Sequence, residues 1–222
     1  MVELIFTHIP KTAGISFLHT LNELYGQENV QQILEPLPWP DCGGLIDPES
    51  MFFRDHARFR SVLKRNIADT GARVLFGHMP AWVLEDLFPG VPRITWIRDP
   101  LEQVLSRVFH FRKMRLWNAH EWDDVWKLAT QPVFRNCQFF YTGGWLSQFA
   151  FVGTVEHYDR DLERFCDTFG LPQAIPRHFH KTEFEQGVRN SLRTNPDFCK
   201  EILSLNALDC ALYGGRNALG TT

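Results

Sequence analysis

The apolar positions of the chain fall into short strand-like runs, each followed by a stretch whose apolar residues recur at helical spacing. Leu4 to His8 reads as a first strand and Lys11 to Ser16 as a loop of small residues. Phe17, Leu18, Leu21 and Leu24 then predict a helix that fades near Gly26. Residues 35–50 carry Pro36, Pro38, Pro40, Gly43, Gly44 and Pro48, an irregular loop, with a helix expected from about 48 to 70. Arg73 to Phe76 is a second strand ending at Gly77-His78. A short helix over 80–88 and the turn Pro89-Gly90 lead into a strand from Arg93 to Ile97, rich in β-favouring residues.

Asp99 is a good N-cap and Pro100 a good first helical residue, so a helix is expected to run to about Arg115. Further helices are predicted near 121–129 and 132–141, and a strand over 149–155. An amphipathic helix from Asp159 to Phe169 stops at Gly170. A last helix is expected from Pro196 to Leu212, ending at Gly214-Gly215. Strands alternating with helices predict an α/β fold, P-loop-like and three-layered. Its central, mostly parallel sheet is flanked by helices, in one domain over 1–222.

Composition narrows the class. The 222 residues are 44% hydrophobic and 22% charged, enough apolar surface for a substantial core. A net charge of −3 argues against a nucleic-acid partner but leaves room for a local basic pocket. The five cysteines form no CxxC pair, which fits reduced thiols and a cytoplasmic setting. The first residues lack a basic stretch followed by an apolar one, so no signal peptide is expected. No apolar run approaches the ~18 residues of a membrane span.

The chemistry begins at Lys11. A strand, a glycine-containing loop and a helix make an anion trap, because the helix N-terminus presents unpaired N–H groups and partial positive charge. Lys11 adds a full charge, Thr12 and Ser16 add hydroxyls, and Ala13 and Gly14 allow close approach to the backbone. The competing plain reading is a capped helix with a solvated lysine. A Walker motif would need Gly-x-x-x-x-Gly-Lys-Ser/Thr, whereas Pro10 precedes Lys11 and residues 1–10 hold no glycine. A second anion site is expected where Arg98 closes the strand Arg93 to Ile97, at the end where α/β sheets place ligands. Arginine binds phosphate bidentately, and Ser106, two helical turns on, faces the same way as the helix start. For Arg98 alone, a surface salt bridge with Glu102 is the plain alternative.

The segment His8-Ile9-Pro10-Lys11-Thr12-Ala13-Gly14-Ile15-Ser16 resembles the first loop of PAPS-dependent sulfotransferases, which reads His-Ile-Pro-Lys-Thr-Ala-Gly-Thr-Ser. PAPS is 3'-phosphoadenosine 5'-phosphosulfate, and the relatives are the bacterial kin of the heparan sulfate and uronyl 2-O-sulfotransferases. The resemblance implies that Lys11, Thr12, Ala13, Gly14, Ile15 and Ser16 grip the phosphosulfate, with Ile15 replacing a hydroxyl residue. It implies that Arg98 and Ser106 bind the 3'-phosphate and that Lys181 lies in a loop over the nucleotide. It also covers three weaker segments, Arg135 to Gln138, Phe151 to Tyr158 and Asn206 to Tyr213, read as structural.

Sulfuryl transfer needs a base for the acceptor hydroxyl and a cation beside the leaving oxygen. Lys11 supplies the cation. Of the nine histidines, His78 ends a strand on the side where the anion loops gather, and it is the expected base. His8 is expected to be structural. A metal is not expected: His178 and His180 have no Cys or Asp/Glu at familiar ligand spacing. The expected function is a sulfotransferase taking PAPS and leaving PAP, with a small-molecule or carbohydrate hydroxyl as acceptor. The alternatives are a P-loop-like small-molecule kinase and a non-catalytic nucleotide-binding module.

Overall fold

The computed structural model describes residues 1–33, 61, 64–65, 67, 70–114, 124–178 and 185–215. Five strands form one sheet in the order β2-β3-β1-β4-β5, every pairing parallel. They are β1 (Leu4–Thr7), β2 (Val30–Ile33), β3 (Val74–Gly77), β4 (Arg93–Ile97) and β5 (Phe151–Thr154). β1 and β3 are buried along their whole length, as a parallel sheet covered on both faces requires.

The helices among the described residues are α1 (Gly14–Tyr25), α2 (Ala81–Leu87), α3 (Pro100–Met114), α4 (Val125–Ala129) and α5 (Cys137–Thr142). They continue with α6 (Tyr158–Phe169), α7 (Gln186–Arg193), α8 (Pro196–Leu205) and α9 (Ala207–Gly215). Alternation along the strands sends side chains to two cores. Leu4, Phe6, Val74, Phe76, Ile94 and Trp96 pack against Phe17 and Leu21 of α1 and Leu162 and Phe165 of α6. Ile5 and Leu75 face the other way, onto Val83 and Leu87 of α2. Ile97 meets Tyr141 of α5 and Leu212 of α9. A further cluster joins α3, α4 and α8 through Val108, Leu128 and Phe198. The architecture is the expected three-layer α/β fold, with the sheet fully parallel.

Four expectations change. β2 was not foreseen, because Val-Gln-Gln-Ile on a sheet edge carries no apolar run. α7 was not foreseen either, because its one buried residue is Arg189. The helix expected over 132–141 is a 3-10 turn at Pro132–Phe134 followed by α5. Between them Asn136 is left-handed at φ 47°. The helix expected from Pro196 to Leu212 breaks at Asn206 into α8 and α9. Asn206 leaves helical geometry at φ −115° and ψ 33°, and its buried side chain accepts from the Asn136 N–H at 2.8 Å and donates to the Ile202 carbonyl at 2.9 Å, competing with the regular helical bonding. The helix over 48–70 falls mostly outside the described residues, as does the loop over 35–50.

The strand order puts the site at one place. The chain leaves β1 toward β3 and β2, and leaves β4 toward β5, so β1 and β4 are neighbours whose exits diverge. The crevice at their carboxyl ends is where such sheets bind ligands.

Candidate active site

The loop after β1 is turned inside out. Four consecutive carbonyls, from His8 to Lys11, each accept a hydrogen bond from a side chain of the protein. His78 Nδ1 lies 2.8 Å from the His8 carbonyl, the Thr12 hydroxyl donates to Ile9 at 2.8 Å, and Gln103 Nε2 donates to Pro10 at 3.1 Å. Arg98 Nη1 donates to Lys11 at 3.3 Å. With the carbonyls drawn back, Lys11 and Ala13 sit at positive φ, 67° and 62°, on either side of Thr12. A non-glycine residue held there costs about 1–2 kcal/mol. Such alternation turns backbone N–H groups into an anion-binding concavity.

α1 continues the concavity. Its first helical bond runs from Phe17 N–H to the Ala13 carbonyl at 3.0 Å, so the N–H groups of Gly14, Ile15 and Ser16 precede it. No side chain caps this end and no acidic residue stands in the first turn. Ile15 is 39% exposed, Ser16 is buried, and the Thr12 hydroxyl proton points inward to Ile9. The backbone therefore supplies the donors of this loop.

The second loop is built oppositely. Gln138 Oε1 accepts from the Arg98 N–H at 2.7 Å and its Nε2 donates to the Arg98 carbonyl at 2.8 Å. Glu156 accepts from the Asp99 N–H at 2.9 Å, and Asp99 caps α3 by accepting from Glu102 N–H at 3.1 Å. With its backbone satisfied, this loop offers side chains. The Arg98 guanidinium lies 3.6 Å from Glu102, the salt bridge weighed from sequence, while it also touches Lys11. Ser106 is buried two turns along α3.

Positive charge is concentrated here. Lys11 is pushed down to about 8 by burial and by Arg98, Arg189 and Lys113. Arg98 is also lowered, chiefly by burial, against the pull of Glu102.

His78 stacks on His8, ring centroids 4.0 Å apart. A carbonyl only accepts, so the Nδ1 facing His8 carries the hydrogen and the neutral ring keeps its lone pair on Nε2. Burial lowers the His78 pKa to about 4, with Arg107 adding to the effect and the His8 carbonyl opposing it. His78 is held neutral at pH 7 and is tied through His8 to the root of the Lys11 loop. His8 itself is buried and held neutral, as a structural residue should be.

No family model matches the chain, and no curated protein matches it. Among solved structures, it is similar to a sulfotransferase from Alicyclobacillus acidocaldarius, at 12% identity and a TM-score of 0.48. The match covers 96% of this chain and 94% of that one.

The fold thus gathers the Lys11 loop, His78 and Arg98 at the ends of β1, β3 and β4, while Ser106 is buried on α3. Lys181 and His180 lie outside the described residues. Among those described, no three His, Cys, Asp or Glu residues are grouped to hold a metal, and His178 pairs with Asp159 at 2.9 Å. No helix among them is long and apolar enough to cross a membrane. Trp126 is half-buried and packs on Phe198 at the edge of a core cluster, whereas Trp145 is 72% exposed.

Sequence reasoning missed Gln103 and Arg189, and it singled out Gln138 only as part of a structural segment. Gln103 is a fully buried amide whose only signal was polarity inside a helix, and Gln138 is equally buried. The three weaker segments are structural. Asn136 caps α9 by accepting from Leu208 and Asp209, while Asp209 caps α5 by accepting from Gln138 and Phe139. Glu156 links Asp99 to the Tyr213 hydroxyl.

Proposed function

We propose that the protein transfers the sulfuryl group of PAPS to an acceptor hydroxyl. The supporting observation is the clamped loop: its carbonyls are held back by His78, Thr12, Gln103 and Arg98, which turns its N–H groups the other way. One set of contacts thereby joins an anion trap, a second anion ligand and a neutral base. In this reading the N–H groups of residues 13–16 and Lys11 hold the phosphosulfate. Arg98 and Ser106 hold the 3'-phosphate, a group that ADP and ATP lack, and Lys181 adds a contact to the nucleotide.

The acceptor oxygen attacks sulfur as its proton passes to Nε2 of His78. The bond from sulfur to the bridging oxygen breaks in line, and PAP leaves with its new negative charge beside Lys11. Atoms and charge balance without a metal. The test is transfer from radiolabelled PAPS to a panel of carbohydrate and small hydroxyl acceptors. His78→Asn, whose side-chain amide can still donate to the His8 carbonyl, is expected to slow transfer by about 10²–10⁴ while PAP binding persists. Unchanged transfer in that variant removes His78 from the role. Label that reaches no acceptor contradicts the reading.

A further inference from the structure

The carboxylate of Glu102 sits among three guanidinium groups. Arg189 Nη2 lies 3.0 Å from Glu102 Oε2, Arg193 Nη2 donates to the same oxygen at 2.8 Å, and Arg98 Nη2 is 3.6 Å away. One negative charge thus faces three positive ones, with Lys11 joined to the group through Arg98. Such an excess is costly where the groups are buried. Arg189 is 8% exposed, and no hydrophobic residue of α7 is buried with it. α7 meets α3 through ion pairs, with Glu102 at one end and Arg112 with Glu185 at the other, 2.8 Å apart, and its half-buried Leu192 packs on the apolar cluster of α3 and α8. The Nε–H groups of both Arg98 and Arg189 are buried and have no acceptor among the described residues. Two guanidinium groups that share one oxygen and each keep a buried donor to spare have the makings of a phosphate fork.

We propose that Arg189 is a phosphate-binding residue acting with Arg98, and that Glu102 is a resident anion standing where a phosphate monoester binds. The identification of that monoester with the 3'-phosphate of the donor rests on the proposed function; the anion subsite does not. A dianion brings twice the charge of Glu102 and more acceptor oxygens, so it draws Arg98 and Arg189 from the carboxylate. Glu102 then acts as an internal competitor that keeps α7 docked before ligand arrives.

The test is calorimetric titration of the full chain, as wild type, Arg189→Ala and the isosteric Glu102→Gln, with inorganic phosphate, PAP and 5'-AMP. Arg189→Ala is expected to weaken phosphate and PAP by about 10- to 100-fold and 5'-AMP by less than about twofold. Glu102→Gln is expected to tighten phosphate and PAP several-fold. It also serves as the readout if Arg189→Ala does not fold. Phosphate and PAP affinities unchanged in the variants overturn the proposal. So does a loss of 5'-AMP affinity as large as that of PAP, or a wild type that does not bind phosphate. If phosphate follows the expected pattern while wild type ignores PAP, the anion subsite stands and the donor reading falls.

Discussion

The imidazole of His8 lies directly against Gly14, so close that a Cβ on residue 14 would fall 1.8 Å from Nε2. Glycine is required here by contact, and its place at the start of α1 follows from the ring beneath it. The same ring stacks on His78, so His8 spaces the Lys11 loop from His78. Gly14→Ala is expected to destabilise the protein by about 1–3 kcal/mol through overpacking. The double variant His8→Ala/Gly14→Ala should recover part of that loss, giving a non-zero coupling energy in a denaturant-unfolding cycle. Additive effects contradict the contact.

Asp209 lies far from Arg98 in sequence, yet it fixes that residue. Its carboxylate accepts from the N–H groups of Gln138 and Phe139 at 3.1 and 2.7 Å, and Gln138 holds both backbone groups of Arg98. Asp209→Asn turns an amide donor toward one of those N–H groups. The expected cost is about 1–3 kcal/mol, read from the denaturation midpoint, with weakened PAP binding. Gln138→Ala, which leaves Asp209 in place, should weaken PAP binding with a smaller loss of stability. Unchanged PAP affinity in both variants contradicts this relay.

The placement of the candidate residues was legible because their loops follow strands with apolar signatures. Leu4–Thr7 and Arg93–Ile97 are buried runs, so Lys11 and Arg98 fell at strand ends by counting. His78 was found in the same way. What stayed hidden was polar and distant. Gln103 and Gln138 reach the loops across 93 and 40 residues, and a buried glutamine has no periodic signature. Arg189 sits on a helix without a buried apolar stripe, so neither the helix nor its buried charge could be read. Asn206 broke a helix that periodicity alone would continue, since only its tertiary partner Asn136 explains the break.

In the proposed reaction, the pH dependence follows from two residues. Lys11 must be a cation and is lowered to about 8, so activity is lost as pH rises through about 8. His78 must be neutral and is lowered to about 4, so activity is lost only as pH falls through about 4. The kcat/KM profile should be flat between these limbs. Lys11→Arg should move the alkaline limb upward by about 2 units or more, because arginine stays charged to about 12. A limb that remains near 8 in that variant assigns it to another group.

In the proposed function two loops, at Lys11 and Arg98, recognise a nucleotide phosphorylated at both its 5' and 3' positions. Titration of PAP and ADP into the wild-type protein and Arg98→Ala tests it most directly. Tight PAP binding with negligible ADP binding is expected, and Arg98→Ala should cost PAP about 100-fold and ADP far less. ADP binding as tight as PAP, or equal losses of both in Arg98→Ala, would contradict it.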